Sequence, residues 1–338
     1  MTVASSDVVA GTCPIVITRT YTVTDECGNT SADIVHTINV DDTTVPTFTG
    51  SITTTTVEGC VAGDAPVAET TVAGLEALTG DLLISDNCSA DANMTVASSD
   101  VVAGTCPIVI TRTYTVTDEC GNTSADIVHT INVDDTTVPT FTGSITTTTV
   151  EGCVAGDAPA AETTVAGLEA LTGDLLISDN CSADGALTVA SSDVVAGTCP
   201  IVITRTYTVT DECGNTSADI VHTINVDDTT APTFTGSITT TTVEGCVAGD
   251  APAAETTVAG LEALTGDLLI SDNCSADANM TVASSDVVAG TCPIVITRTY
   301  TVTDECGNTS ADIVHTINVE DTSEPTFTGS ITTTTVEG

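Results

Sequence analysis

Residues 104–133 read GTCPIVITRTYTVTDECGNTSADIVHTINV, and alternation within this stretch decides the fold class. In Ile108-Val109-Ile110-Thr111-Arg112-Thr113-Tyr114-Thr115-Val116 one register carries Ile, Ile, Arg, Tyr and Val, and the other carries Val followed by threonines. Successive side chains of a strand point to opposite faces, so this pattern predicts a β-strand with one face toward a core. The turn-rich run TDECGNTSAD (117–126) follows, and Ile127-Val128-His129-Thr130-Ile131-Asn132-Val133 alternates again. The pair reads as an antiparallel hairpin, the last two strands of an immunoglobulin-like β-sandwich.

Working outward, Asp134-Asp135-Thr136-Thr137-Val138-Pro139 is a linker whose proline marks the start of the next first strand. That strand, FTGSITTTTVEG (141–152), leads to Cys153. The segment 155–173 reads as a loop with one helical turn at AGLEAL, and Asp174–Ser178 as a second strand. Segments of the type MTVASSDVV supply the middle strands.

Self-alignment sets the organisation. The same segment begins at Met1, Met94, Leu187 and Met280, a strict period of 93 residues. Residues 44–136 and 137–229 differ only at Val67/Ala160, Ala92/Gly185, Asn93/Ala186 and Met94/Leu187. That period suits one small domain, so the expected arrangement is a tandem array of all-β immunoglobulin-like sandwiches. Its limits are 1–43 (the later part of a truncated repeat), 44–136, 137–229, 230–322, and 323–338 (the first strand of a truncated next repeat).

Composition narrows the function. Four basic residues stand against 47 acidic ones, for a formal charge of −43. The four cations are Arg19, Arg112, Arg205 and Arg298, and lysine is absent. Phosphate recognition needs clustered cations, so a nucleic-acid partner is excluded. Without lysine no Lys–Asn isopeptide bond can form. Hydrophobic residues at 41% and the abundance of Val, Ile and Thr argue against disorder. Aromatic content of only 2% leaves a light core in need of reinforcement.

Four cysteines per period supply it, with no CxxC or His/Cys cluster to suggest zinc. An even count in a small β-rich domain points to disulfides and an extracellular setting. Four cysteines allow three connectivities, and the sandwich layout favours one staple at each end of a domain. It pairs Cys60 with Cys106, Cys88 with Cys120, Cys153 with Cys199, Cys181 with Cys213, Cys246 with Cys292 and Cys274 with Cys306, leaving Cys13 and Cys27 unpaired.

Acidity also suggests calcium at the domain junctions, although no cofactor is required by the fold. If linker, B–C and F–G loops meet, Asp41, Asp42, Asp86, Asp91, Asp118 and Glu119 cluster. The constellation recurs as Asp134, Asp135, Asp179, Asp184, Asp211 and Glu212, and as Asp227, Asp228, Asp272, Asp277, Asp304 and Glu305. Clustered carboxylates supply the oxygen ligands calcium takes. The competing reading is that of solvated turn residues.

The run GTCPIVITRTYTVTDECGNTSADIVHTINVDDTTVPTF, with DNCS, GTCP, TDxCGNT and a D-x-x-x-P linker, resembles the repeats of giant tandem-repeat surface adhesins of Bacteroidota. The resemblance spans the whole chain and includes adhesins of gliding motility exported by the type IX system. It implies a cell-surface filament whose partners are further copies of the repeat, an envelope anchoring or motility machinery, and external surfaces or glycans bound by other regions. It also implies O-glycosylation at the Asp-Thr-Thr linkers, on Thr43, Thr136 and Thr229. Asn29-Thr30-Ser31, Asn87-Cys88-Ser89 and Asn93-Met94-Thr95 match the N-glycosylation sequon, which a bacterial source leaves mostly unused.

Catalysis is not expected. His36, His129, His222 and His315 fall on the inward register of a strand, and a hydrolase does not repeat its active site every 93 residues. The expected role is a structural stalk or adhesive filament segment; the alternative is a weak ligand- or glycan-binding module acting by avidity.

Overall fold

The computed structural model describes residues 1–337. Residues 1–43 form one antiparallel sheet of β1 (Thr2–Ala10), β2 (Ile15–Thr24) and β3 (Ile34–Val40). In residues 44–136 follow β4 (Thr47–Thr49), β5 (Thr55–Glu58), α1 (Val72–Glu76), β6 (Leu83–Ser85), β7 (Thr95–Ala103), β8 (Ile108–Thr117) and β9 (Ile127–Asp134). The set recurs 93 residues on as β10 (Thr140–Thr142), β11 (Thr148–Glu151), α2 (Val165–Glu169), β12 (Leu176–Ser178), β13 (Thr188–Ala196), β14 (Ile201–Thr210) and β15 (Ile220–Asp227). It recurs again as β16 (Thr233–Thr235), β17 (Thr241–Glu244), α3 (Val258–Glu262), β18 (Leu269–Ser271), β19 (Thr281–Ala289), β20 (Ile294–Thr303) and β21 (Ile313–Glu320). The chain divides into two compact units, Met1–Phe141 with Ile177–Thr188 and Val209–Ala218, and Thr142–Leu176 with Val189–Thr208 and Asp219–Gly338.

Residues 44–136 show how the sequence builds the sandwich. One layer is a four-stranded sheet in the order β5-β9-β8-β7; the other is the short antiparallel pair β4-β6. The hairpin register sets Ile108 opposite Val133 and Tyr114 opposite Ile127, as the alternation predicts. β5 joins the far side of β9 in parallel, with Glu58 opposite Asp134. The inward register of β8 is buried at Ile110, Arg112, Tyr114 and Val116, and that of β9 at Ile127, His129, Ile131 and Val133.

Against this face pack Val72 and Leu75 of α1, Ile84 of β6, Ile52 and Met94. α1 is the helical turn read at AGLEAL, started by Thr71, whose Oγ1 accepts the Gly74 N–H at 3.0 Å. A smaller cluster of Ile110, Ile131 and Val133 closes the other end of the sheet with Val57, Ala62 and Ala65. The chain between β6 and β8 departs from expectation: it carries a single nine-residue strand, β7, rather than several middle strands. β7 is an exposed sheet edge, which explains why its segment lacks a clean apolar alternation.

Candidate functional site: the repeat junctions

Each sandwich has two ends of different chemistry, and the topology fixes which loops meet at each. Because β5 and β9 are parallel, they finish together, so Cys60 emerges beside the departing linker at Asp134. The β7–β8 turn, with Cys106, lies at this same trailing end, since Ala103 faces Val109 and Ile108 faces Val133. Gly104 permits that turn with φ of 80°, where an added Cβ would stand 2.6 Å from the Pro107 carbonyl oxygen. At the leading end, the β6–β7 loop holds Cys88 and the β8–β9 loop holds Cys120. The Asn122 amide ties the latter loop to the incoming linker through the Asp42 carbonyl at 3.0 Å.

The cysteines are therefore grouped by end as the sequence implies, but the bonds run between repeats rather than within them. Cys60 pairs with Cys181 and Cys106 with Cys213; Cys153 pairs with Cys274, Cys199 with Cys306, and Cys13 with Cys120. Cα–Cα separations of 4.9 to 5.3 Å lie in the range a disulfide spans. The expected pairs Cys60–Cys106, Cys88–Cys120, Cys153–Cys199, Cys181–Cys213, Cys246–Cys292 and Cys274–Cys306 are corrected accordingly, as is the unpaired state of Cys13.

Sheet geometry gives the reason. β9 stands between β5 and β8, so Cys60 and Cys106 leave the sheet two strand spacings apart, about 10 Å, beyond disulfide reach. Cys60, Cys106 and Cys120 each meet a cysteine presented by a neighbouring repeat. Cys27, Cys88, Cys246 and Cys292 are free; no cysteine among positions 1–338 stands at the matching separation of 107 or 121 residues in the required direction.

Beside the bridges, three carboxylates converge at the junctions. Ligand oxygens of Asp135, Asp179 and Asp211 lie within 4.8 Å of one another, as do those of Asp42, Asp86 and Asp118. Two of each three belong to loops whose turns they close. Asp179 Oδ2 accepts the N–H groups of Cys181 and Ser182, and Asp211 Oδ1 those of Cys213 and Asn215. Asp135 comes from the linker; its Oδ1 accepts from the Thr137 N–H at 3.1 Å and the Asn180 amide at 3.3 Å.

The remaining oxygens, Asp135 Oδ2 and Asp179 Oδ1, are buried and make no hydrogen bond within the protein. The same holds for Asp42 Oδ2 with Asp86 Oδ1, and for Asp228 Oδ2 with Asp272 Oδ1. Asp135 is only 3% exposed. Burial, followed by the charges of Asp179 and Asp211, raises its pKa above the ordinary aspartate value. Asp228 is raised in the same way beside Asp272 and Asp304. A buried carboxylate among like charges holds a proton or needs a cation.

At the first two junctions three of the six expected cation ligands thus come together: Asp42, Asp86 and Asp118, and Asp135, Asp179 and Asp211. Asp41 and Asp134 lie instead beside the bridges, each with a carboxylate oxygen 3.7 Å from the sulfur of Cys13 or Cys106. Asp227 stands likewise by Cys199. Asp91, Asp184 and Asp277 are exposed, as are Glu119, Glu212 and Glu305, of which the glutamates use only backbone N–H groups on Ser89, Ser182 and Ser275. The first residue of each Asp-Asp linker pair thus faces the bridge, on the opposite side of an extended chain from the second.

The linker threonines are engaged with the protein itself. Thr136 Oγ1 donates to Glu58 Oε2 at 2.6 Å and Thr137 Oγ1 to Glu58 Oε1 at 2.9 Å, which draws the Glu58 pKa down. Thr229 donates to Glu151 at 2.5 Å in the same manner. A sugar on Thr136 or Thr229 would replace this bond; Thr43 is exposed.

Inside the sandwich, Arg112 is both ion pair and carbonyl donor. It reaches Asp100 through Nε and Nη2 at 2.8 and 2.9 Å and the Pro66 carbonyl through Nη1 at 2.7 Å. His129 sits next to it in register, with Nε2 2.8 Å from Thr55 Oγ1. Burial, then the Arg112 charge, lowers the histidine pKa and keeps the ring neutral.

No family model matches the chain, and no curated protein does. Among solved structures, Drosophila N-cadherin EC1-4 aligns at 12% identity and TM-score 0.26 over 92% of this chain and 85% of its own. Drosophila N-cadherin EC1-3 aligns at 13% identity and TM-score 0.28 over 80% and 98%. TM-scores this low transfer neither architecture nor function, and the sandwich stands on its own strands and cores.

Proposed function

We propose that this chain is a segment of an extracellular structural filament, a stalk that carries or forms an adhesive fibre at the cell surface, with each 93-residue repeat acting as one domain. The observation that carries the reading is the double bridge between consecutive repeats. A catalytic or ligand-binding module needs no covalent tie to its neighbour; a fibre under load does. Ten cysteines committed to bridges also suit an oxidising compartment outside the cell. The linker and loop motifs favour a surface adhesin of the kind used in attachment or gliding. The histidines serve packing rather than chemistry.

At each junction the carboxylate triad holds one hard divalent cation, calcium by the all-oxygen donor set, with water and neighbouring carbonyls completing six to eight ligands. Antibodies raised against the chain test the filament reading on intact cells that make it. The expected result is surface-labelled fibres by electron microscopy, lost after mild protease shaving. Labelling confined to permeabilised cells would refute it.

A further inference from the structure

The disulfides do more than fasten neighbours: they shorten the covalent route through every repeat. Cys106 and Cys120 are 14 residues apart, one at each end of β8. Cys120 is bonded to Cys13 of the preceding repeat and Cys106 to Cys213 of the following one. From Cys213 the chain runs back 14 residues along β14 to Cys199, which is bonded to Cys306, and β20 continues the line to Cys292.

We propose that β8, β14 and β20, joined end to end by Cys106–Cys213 and Cys199–Cys306, form a covalent load-bearing line that makes the array inextensible. The proposal deepens the stalk reading but rests on the disulfide connectivity alone. Tension on an ordinary tandem array pulls domains open one at a time, and 93 residues released this way lengthen the chain by about 30 nm. Here the load crosses each repeat through one segment of 14 residues, at most about 5 nm when fully extended. Ten of these residues already lie in a strand, whose rise per residue is close to that limit. Pulling therefore gains almost no length, whether or not the sandwich around the strand stays folded.

The two bridges at a junction are unequal in this respect. Without Cys106–Cys213, the shortest route from Cys120 to Cys199 grows by about 50 residues, or about 17 nm. Without Cys60–Cys181 it does not change, because the β8–β14 line bypasses that bond. Cys60–Cys181 instead locks the linker side of the junction against hinging.

Single-molecule stretching of the full chain, handled at both ends with Cys27, Cys88, Cys246 and Cys292 alkylated, tests this. Oxidised chains should show no lengthening step above about 5 nm before a handle breaks, and chains reduced beforehand should lengthen in steps of about 30 nm. Cys106→Ser with Cys213→Ser should add one step of about 17 nm in oxidised chains, and Cys60→Ser with Cys181→Ser none. Oxidised natural chains that lengthen by more than about 10 nm in one step overturn the proposal. So does a variant pattern the other way round. Either outcome leaves surface labelling, and with it the filament reading, separately testable.

Discussion

Asp135 shows what a single residue contributes and how far it could be read in advance. An Asp-Asp pair before a proline is an ordinary linker by composition, and only the packed junction singles out the second carboxylate. The sequence gathers six acidic positions per junction; the structure selects three, because the extended linker turns Asp134 to the opposite side from Asp135 and the loops leave Asp184 and Glu212 exposed. Its raised pKa carries a signed consequence. A carboxyl that binds its proton more tightly when folded contributes stability below the unfolded value of 3.8, and that contribution is lost as pH rises through the folded value. At neutral pH without a cation the triad therefore weakens the junction, and calcium should restore it. Calcium added to chelated protein at pH 7 is expected to raise the melting temperature. Asp42→Asn, Asp135→Asn and Asp228→Asn together should abolish that rise while leaving the chelated protein at least as stable as the natural one. An undiminished calcium response in this variant would rule the triads out as the site.

Among the elements, the hairpin β8–β9 was the most legible, since its inward register is apolar except at Arg112 and His129, which tolerate burial through specific partners. α1 and the second strand were also readable, from AGLEAL and the short apolar run after Gly80. The MTVASSDVV segment was read as a middle strand, and it forms β7; its place at the sheet edge was not legible, because it follows from pairing with β8 alone. Asp100 opposite Arg112 fixes that pairing register. Replacing Arg112 by Met removes three hydrogen bonds to an arginine that is 6% exposed, and should cost roughly 2 kcal/mol. Amide hydrogen exchange on β7 and β8 would then quicken about 30-fold, since 1.4 kcal/mol corresponds to a factor of ten. Exchange unchanged at β7 would show that the strand is held by backbone pairing alone.

For the molecule as a whole, the 93-residue repeat and the sandwich fold were plain in the sequence, and the covalent wiring was not. Identical repeats carry identical cysteines, so no spacing distinguishes a bond within a repeat from one to the next. The choice is made by sheet order, which sets Cys60 and Cys106 on either side of β9. Whether bridges join consecutive repeats can be read out through the four arginines. Trypsin acting on the alkylated, denatured, unreduced chain cuts only after Arg19, Arg112, Arg205 and Arg298, giving five fragments of distinct mass. Mass spectrometry should find all five in one covalent assembly, with residues 1–19 held to 113–205 through Cys13–Cys120 and 299–338 held to the same fragment through Cys199–Cys306. Release of residues 1–19 without reductant, or attachment of 299–338 to 206–298 instead, would show that the bridges close inside repeats and would contradict the account.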